Sequence, residues 1–159
     1  MKIVRKIRAN FHSLEEILMF IHLFFLVTIL PLLIRLLTIP QLMKILTPQH
    51  GEVKNARNLH DRRDTVVKYA DYILSLNFWM YKNTCLKRSL VLYYFFRKLG
   101  MDVYICFGVK HKKDLTERET GKRLEGHAWL SHNGDFFLEK NPEETKTYAV
   151  TYCFPVRNG

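Results

Sequence analysis

The distribution of apolar residues is uneven along the chain, and the strongest feature lies near the N-terminus. Residues 17–34 read ILMFIHLFFLVTILPLLI, with His22 and Thr28 as the polar exceptions. A run of about 18 apolar residues is the lower limit for a helix that crosses a membrane. We expect Pro31 and Pro40 to break the segment into pieces, because proline removes a backbone donor and clashes with the preceding turn.

Three interpretations of this apolar run remain open. The segment spans a membrane, lies in the membrane interface, or packs as a helix against a partner or the rest of the chain. Basic residues at positions 2, 5, 6 and 8 favour a cytoplasmic N-terminus. No small-x-small cleavage pattern follows the run, which argues against a signal peptide. Membrane association through residues 17–39 is therefore one expectation, beside a cytoplasmic location.

A polar connector follows at 47–62, and helical spacing resumes after it. We place a boundary before this connector, which divides the chain into an N-terminal region, 1–46, and a second region, 47–159. Residues 64–82 carry apolar side chains at helical intervals. The clearer helix is predicted at 85–98. Its first turn can be capped by Asn83 or Thr84, Gly100 can end it, and its expected buried face is formed by Leu86, Leu90 and Tyr93.

Period-two patterns of β-branched and aromatic residues follow this helix. Residues 102–109 predict one strand, and the charged stretch 110–123 predicts a loop. The next two apolar segments flank Asn133-Gly134, a dipeptide typical of a β-hairpin turn. The sequence therefore predicts helices first and an antiparallel sheet after them.

The length of the hairpin loop decides which side chain faces His127. A two-residue loop at 133–134 places Lys140 opposite His127, whereas a three-residue loop at 132–134 places Glu139 there. Directly opposed Cβ atoms in an antiparallel pair lie about 4.5–5.5 Å apart. Only the longer loop therefore brings a carboxylate into hydrogen-bonding reach of the imidazole by strand pairing alone.

We predict the three-residue loop, with Gly134 as a left-handed bulge, because all its cross-strand pairs are chemically compatible. These pairs are Trp129 with Phe137, Leu130 with Phe136, and Ala128 with Leu138. Asp135 would then lie roughly 13 Å from His127 along the ladder, at the usual strand rise. We expect Asp135 to be a solvated turn residue.

Composition and charge restrict the class of protein. The chain has 159 residues and a formal net charge of +10, without a long basic run or a basic–aromatic repeat, so a nucleic-acid partner is not expected. Anionic lipid or an acidic peptide suits the evenly spread positive charge. The three cysteines, Cys85, Cys106 and Cys153, form no CxxC pair or Cys/His cluster. We therefore expect reduced thiols, with Cys106 in the core, and neither a zinc site nor any other cofactor.

Cys85 and His127 are the residues most suggestive of chemistry. Unpaired N–H groups and the dipole at a helix start favour a thiolate there, and a nearby histidine can take and return its proton. Glu139 would orient the imidazole. The backbone N–H of Cys85 is a candidate oxyanion donor, with a second donor from Asn83 or Trp79. The other histidines show no paired spacing and are expected on the surface or in loops.

Four segments carry a resemblance to a known group of enzymes. They are CLKRSLVL from residue 85, RKLGMDV from residue 97, FGV from residue 107 and GHAWL from residue 126. In this order and spacing they resemble the transglutaminase-like core of the lasso-peptide leader peptidases. The resemblance covers about residues 80–142, and the hydrophobic helical N-terminal half is similar in kind.

The resemblance implies an α+β fold, with a helical hydrophobic N-terminal region before a papain/transglutaminase-like core. Cys85 matches the nucleophile and His127 the base, while the third position, usually aspartate, falls on Glu139. The implied activity is cysteine-peptidase cleavage of a leader from a ribosomally made precursor peptide. The implied partners are that precursor, a separate leader-binding protein and an ATP-dependent macrolactam cyclase.

Overall fold

The computed structural model describes residues 14–48, 59–76, 84–111 and 124–155. This part of the chain has an α+β fold, in which helices precede an antiparallel sheet of strand order β3-β2-β1-β4. The helices and strands are α1 (Leu14–Leu36), α2 (Ile39–Leu46), α3 (Leu59–Ser75), α4 (Cys85–Lys98), β1 (Val103–His111), β2 (Leu124–His132), β3 (Asp135–Phe137), α5 (Pro142–Thr145) and β4 (Ala149–Phe154). The predicted fold class is confirmed.

One apolar core joins the helices to the sheet. Helix α4 lies at its centre, since Leu90 and Phe96 are completely buried between the strands and the remaining helices. Alternate residues of β1 and β2, such as Ile105 and Leu130, face the same core. The predicted boundary after residue 46 stays a prediction, because residues 49–58 lie outside the described ranges.

Local signals define α4 at both ends. At its start, the Thr84 hydroxyl accepts a hydrogen bond from the Lys87 backbone N–H at 3.3 Å. At its end, Gly100 adopts a positive φ of 81° and its N–H donates to the Arg97 carbonyl at 3.0 Å. The predicted bounds of 85–98 are confirmed. Helix α3, predicted at 64–82, instead begins at Leu59 and ends at Ser75.

Pro31 does not break α1, so that prediction was wrong. The helix continues through Pro31 to Leu36, and the break comes near Thr38. Flanking residues of α1 are anchored in the core, where Val27 and Leu30 are fully buried, and this packing holds the helical path. Pro40 lies in the first turn of α2, where a missing N–H costs no helical hydrogen bond.

Helix α1 is long and apolar enough to cross a membrane by length and composition. Its inner side, however, packs against the protein through Leu23, Leu26, Val27 and Leu30. A core helix and a signal sequence share the same length and apolar character. The helix by itself therefore gives only weak support for a membrane anchor.

The hairpin between β2 and β3 has a two-residue loop, so the predicted three-residue loop was wrong. The structure pairs His132 with Asp135 and Leu130 with Phe137. Asn133 and Gly134 both have positive φ, at 54° and 95°. Two such residues fit the turn type whose twist matches that of the flanking strands. Asp135 is exposed beside the turn, as predicted.

Cys106 and Cys153 form a disulfide, contrary to the expected reduced thiols. The register of β1 and β4 places them directly opposite each other. Trp129 and Tyr148 pack with them in a small buried cluster on the sheet face away from α4. The pairing joins strands 47 residues apart, so no local spacing in the sequence indicated it. Cys106 is buried, as predicted.

His22, expected at the surface, is half-buried between α1 and α4. Its Nε2 lies 3.0 Å from the Tyr94 hydroxyl and its Nδ1 lies 3.2 Å from Lys98 Nζ. Burial, and then the nearby positive charge of Lys98, lower the pKa of His22 below its usual value. These contacts explain why one imidazole interrupts the apolar sequence of α1.

The disulfide predicts a defined thiol count and a stability effect. Denatured but unreduced protein should contain one titratable thiol, that of Cys85, rising to three after reduction. Replacing both Cys106 and Cys153 with alanine should lower the free energy of unfolding by about 2–4 kcal/mol, since the unfolded chain loses a long-range constraint. Cys85→Ala, at an exposed position, serves as the control. Three thiols before reduction would contradict the pairing.

His22 predicts an acid-sensitive contribution to stability. Its folded-state pKa is depressed, so the unfolded chain binds the proton first as pH falls through and below the usual value of 6.5. The free energy of unfolding should therefore decrease in that range. His22→Gln, measured by chemical denaturation at about pH 7.5 and about pH 5.5, should show a smaller decrease than the wild type. His111→Gln, at an exposed position, is the control for loss of a histidine. If the free energy of unfolding of His22→Gln decreases as much as that of the wild type, the assignment is refuted.

Candidate active site

His127 and Glu139 meet beside the middle of β2. The imidazole Nε2 lies 3.4 Å from Glu139 Oε2, and the two side chains are only 19% and 15% exposed. The contact predicted between these residues is therefore present, although the loop length used to predict it was wrong. In a two-residue hairpin, strict pairing would have placed Lys140 opposite His127.

A change of backbone direction at Leu138 accounts for this contact. Leu138 adopts a positive φ of 55°, unusual for a residue with a branched side chain. The strand ends at Phe137. Because the chain turns at Leu138, the direction of the Glu139 side chain is no longer set by the alternation of side chains along the strand. Its carboxylate can then approach the imidazole from outside the β2–β3 pairing.

The turn at Leu138 is tied to the helices by Arg88. The Arg88 guanidinium donates one hydrogen bond to the Leu138 carbonyl at 3.0 Å. It donates two more to the carboxylate of Asp71 on α3, at 2.7 and 3.3 Å. The Arg88 side chain is only 16% exposed, and such paired, partly buried contacts are geometrically specific. Arg88 thus connects α3, α4 and the segment that carries Glu139.

Aromatic rings confine the imidazole of His127. Trp129 stacks on it with ring centroids 5.9 Å apart, and the Tyr148 ring lies 5.1 Å away. Gly108 on β1 makes room for Trp129, because a Cβ at this position would approach the indole to 2.8 Å. The FGV segment in the sequence therefore has a packing role beside the candidate base.

Thr145 is a site residue that the sequence did not indicate. Its side chain is 2% exposed, its Oγ1 donates to the Asn141 carbonyl at 3.0 Å, and the same Oγ1 lies 3.4 Å from His127 Nε2. Because the hydroxyl proton is used by Asn141, Thr145 acts toward the imidazole as an acceptor. Both polar neighbours of Nε2 are then acceptors, which assigns the imidazole proton to Nε2 and leaves the Nδ1 lone pair available as a base.

An ion-pair network secures the segment that carries Thr145. Lys110 Nζ lies 2.9 Å from Glu144 Oε1 and 4.3 Å from the centre of the Tyr148 ring. Hydrogen bonds to Tyr148 and then to Glu144 raise the pKa of Lys110, and the same Lys110 lowers the pKa of Glu144. Burial raises the pKa of Tyr148. The lysine therefore stays charged and joins β1 to the α5–β4 segment.

Cys85 is the free thiol at the exposed first position of α4. One turn later, the buried Ser89 hydroxyl donates to the Ala128 carbonyl at 2.9 Å, which places the first turns of α4 over the middle of β2. Gly126, on the same side of β2 as Ala128, has no side chain to obstruct this region. The Cys85 thiol itself makes no hydrogen bond to a described residue.

The predicted site residues are thus only partly assembled. His127 and Glu139 are in contact, whereas Cys85 and His127 are not hydrogen-bonded in the structure. The two candidate oxyanion residues, Asn83 and Trp79, lie outside the described residues. No group of three potential metal ligands occurs within the described ranges. His127 lies on the same side of β2 as Trp129, the sheet face away from α4, so the described contacts orient the imidazole but do not join it to the free thiol of Cys85.

The role assigned to Thr145 can be tested without a substrate. Thr145→Val keeps the shape but removes the acceptor, so the neutral His127 ring should show a larger Nδ1–H fraction in ¹⁵N NMR spectra. The lost hydrogen bond to Asn141 should also lower the free energy of unfolding by about 1 kcal/mol. Thr145→Ser is the control and should retain the Nε2–H form. A dominant Nδ1–H form in the wild type would refute the assignment.

Comparison with known proteins identifies the family of the chain. The sequence profile of the Transglutaminase-like superfamily matches residues 28–153, most of the chain. No curated protein and no solved structure matches the chain significantly. The matched range contains α4 with Cys85, the sheet with His127, and the segment carrying Glu139. This chain belongs to the transglutaminase-like superfamily.

Proposed function

We propose that this protein is a cysteine peptidase that removes the leader from a ribosomally made precursor peptide. The superfamily supports the coarser class, a papain-like cysteine hydrolase or acyltransferase. The observation that carries the proposal is the contact between His127 Nε2 and Glu139, with no hydrogen bond to Nδ1 from any described residue. A free thiol at a capped helix start supplies the nucleophile that this base would serve.

In the proposed mechanism, Nδ1 of His127 takes the proton of the Cys85 thiol. The thiolate attacks the scissile carbonyl, and the backbone N–H of Cys85 donates to the resulting oxyanion. The imidazolium then protonates the leaving amine, and the peptide bond breaks to leave a thioester. Water activated by His127 hydrolyses the thioester and regenerates the thiol. Glu139 stabilises the imidazolium in both steps.

The substrate class follows from the resemblance of four segments to the lasso-peptide leader peptidases. On that basis, a separate leader-binding protein would deliver the precursor. An ATP-dependent macrolactam cyclase would close the released core peptide. Asn83 or Trp79 would supply the second oxyanion donor. The neighbouring reading frames offer a direct check on these partners.

A second candidate function uses the same thioester. If an amine attacks in place of water, the protein is a transglutaminase-like acyltransferase. The exposed position of Cys85 favours this alternative, because an external amine can reach the thioester there. A third candidate, a membrane-associated binding protein with a residual triad, is favoured by the lack of a hydrogen bond between Cys85 and His127.

The proposed nucleophile and base predict a specific pattern of activity. With a precursor peptide from a neighbouring reading frame, Cys85→Ala should abolish leader release measured by mass spectrometry. Glu139→Gln should lower kcat by roughly 10²–10⁴-fold, the usual range for general acid–base assistance. Glu143→Gln is the matched control, because this exposed carboxylate pairs with Lys146 and lies outside the site. Release of leader by Cys85→Ala would overturn the mechanism, and an amide-bonded product would establish the acyltransferase.

Thiol alkylation provides a companion measurement that needs no substrate. Iodoacetamide should modify Cys85 more slowly at neutral pH in His127→Ala than in the wild type, because the base that promotes the thiolate is lost. Equal rates would indicate that the triad is not functional and would favour the non-catalytic candidate.

A further inference from the structure

The outer side of α1 carries a continuous line of exposed apolar side chains. They recur at intervals of three, four or seven residues and therefore lie along one side of the helix. We call them the outer apolar face: Leu14, Leu18, Ile21, Phe25, Leu32 and Leu36, which are between 54% and 79% exposed. On α2, Ile39 and Ile45 add further exposed apolar surface. A contiguous apolar patch of this kind typically marks an interaction surface.

The opposite side of α1 argues against a simple membrane span for the folded protein. Leu23, Val27 and Leu30 are fully buried in the core that α1 shares with α3 and α4. Insertion of α1 across a bilayer would withdraw these three side chains from that core. The helix can keep its packing and still place its outer apolar face in lipid only by lying parallel to the membrane surface.

The charges around the outer apolar face indicate what kind of surface it binds. The sequence from residue 17 to residue 48 contains no aspartate or glutamate, and its two charged residues, Arg35 and Lys44, are both exposed. A groove along α1 is lined by Phe25 and Leu32 together with two cations, Arg35 and Lys87. At the N-terminal end of this face, Glu15 and Glu16 occupy the first turn of α1, and Glu15 pairs with Arg62. From residue 17 onward the bordering charges are cations, and apolar side chains bordered by cations are complementary to acyl chains beneath anionic headgroups.

We propose that the outer apolar face of α1 binds the surface of an anionic lipid bilayer, with α1 in the plane of the membrane. The apolar residues enter the acyl boundary, and Arg35, Lys44 and Lys87 lie at the headgroup level. The protein is then a peripheral membrane protein, and this inference is independent of the chemistry at Cys85.

Vesicle co-sedimentation of the full chain tests the proposal, with phosphatidylcholine vesicles that contain or lack phosphatidylglycerol. The wild type should bind the anionic vesicles, and added salt should weaken binding because it screens headgroup attraction. Phe25→Glu should reduce the partition coefficient by about tenfold or more, since it removes a large apolar side chain that would enter the acyl region. Arg35→Gln should reduce it by about fivefold on anionic vesicles alone.

Tyr72→Glu is the matched control, because it introduces the same charge at an exposed aromatic residue of α3 and should leave binding unchanged. Unchanged circular dichroism of each variant shows that it is folded. The proposal is refuted if the wild type stays in the supernatant, or if Tyr72→Glu weakens binding as much as Phe25→Glu. Resistance of the bound protein to alkaline carbonate extraction would show a span instead. If the wild type is a dimer and Phe25→Glu is a monomer, a second copy of the chain covers the outer apolar face instead.

Discussion

The partly buried guanidinium of Arg88 is the interaction on which the candidate site depends. It fixes Asp71 on one side and the Leu138 carbonyl on the other, across three separate parts of the chain. Without this connection, the carbonyl at the left-handed turn would lose its hydrogen bond to a helix. The position of Glu139 beside His127 therefore depends on contacts with the helices as well as on the sheet.

The sequence predicted those parts of the fold that local chemistry determines. Helix α4 was placed correctly because Thr84 and Gly100 act within a few residues of its ends. The fold class followed from the change of apolar periodicity near residue 100. The bounds of α3 were less well predicted, because its polar first turns carry no strong apolar pattern and are ordered by tertiary contacts.

One predicted contact is present in the structure, but for a different reason than the sequence suggested. Glu139 meets His127, but through a turn at Leu138 rather than through the loop length that we favoured. Leucine has no preference for a positive φ, so the residue types in this segment do not predict the turn. Thr145 and the Cys106–Cys153 pair were missed for a related reason. The cysteine pair depends on the register of β1 and β4, and Thr145 depends on how α5 folds back against β2, so neither contact is set by local sequence.

Gly108 shows how a residue without a functional group can limit the chemistry of its neighbours. Any side chain there would displace Trp129, and Trp129 is the ring against which His127 rests. The orientation of the imidazole is consequently coupled to an empty volume on a neighbouring strand. Variation at residue 108 would resemble damage to the base itself, because it would displace the ring that holds the imidazole.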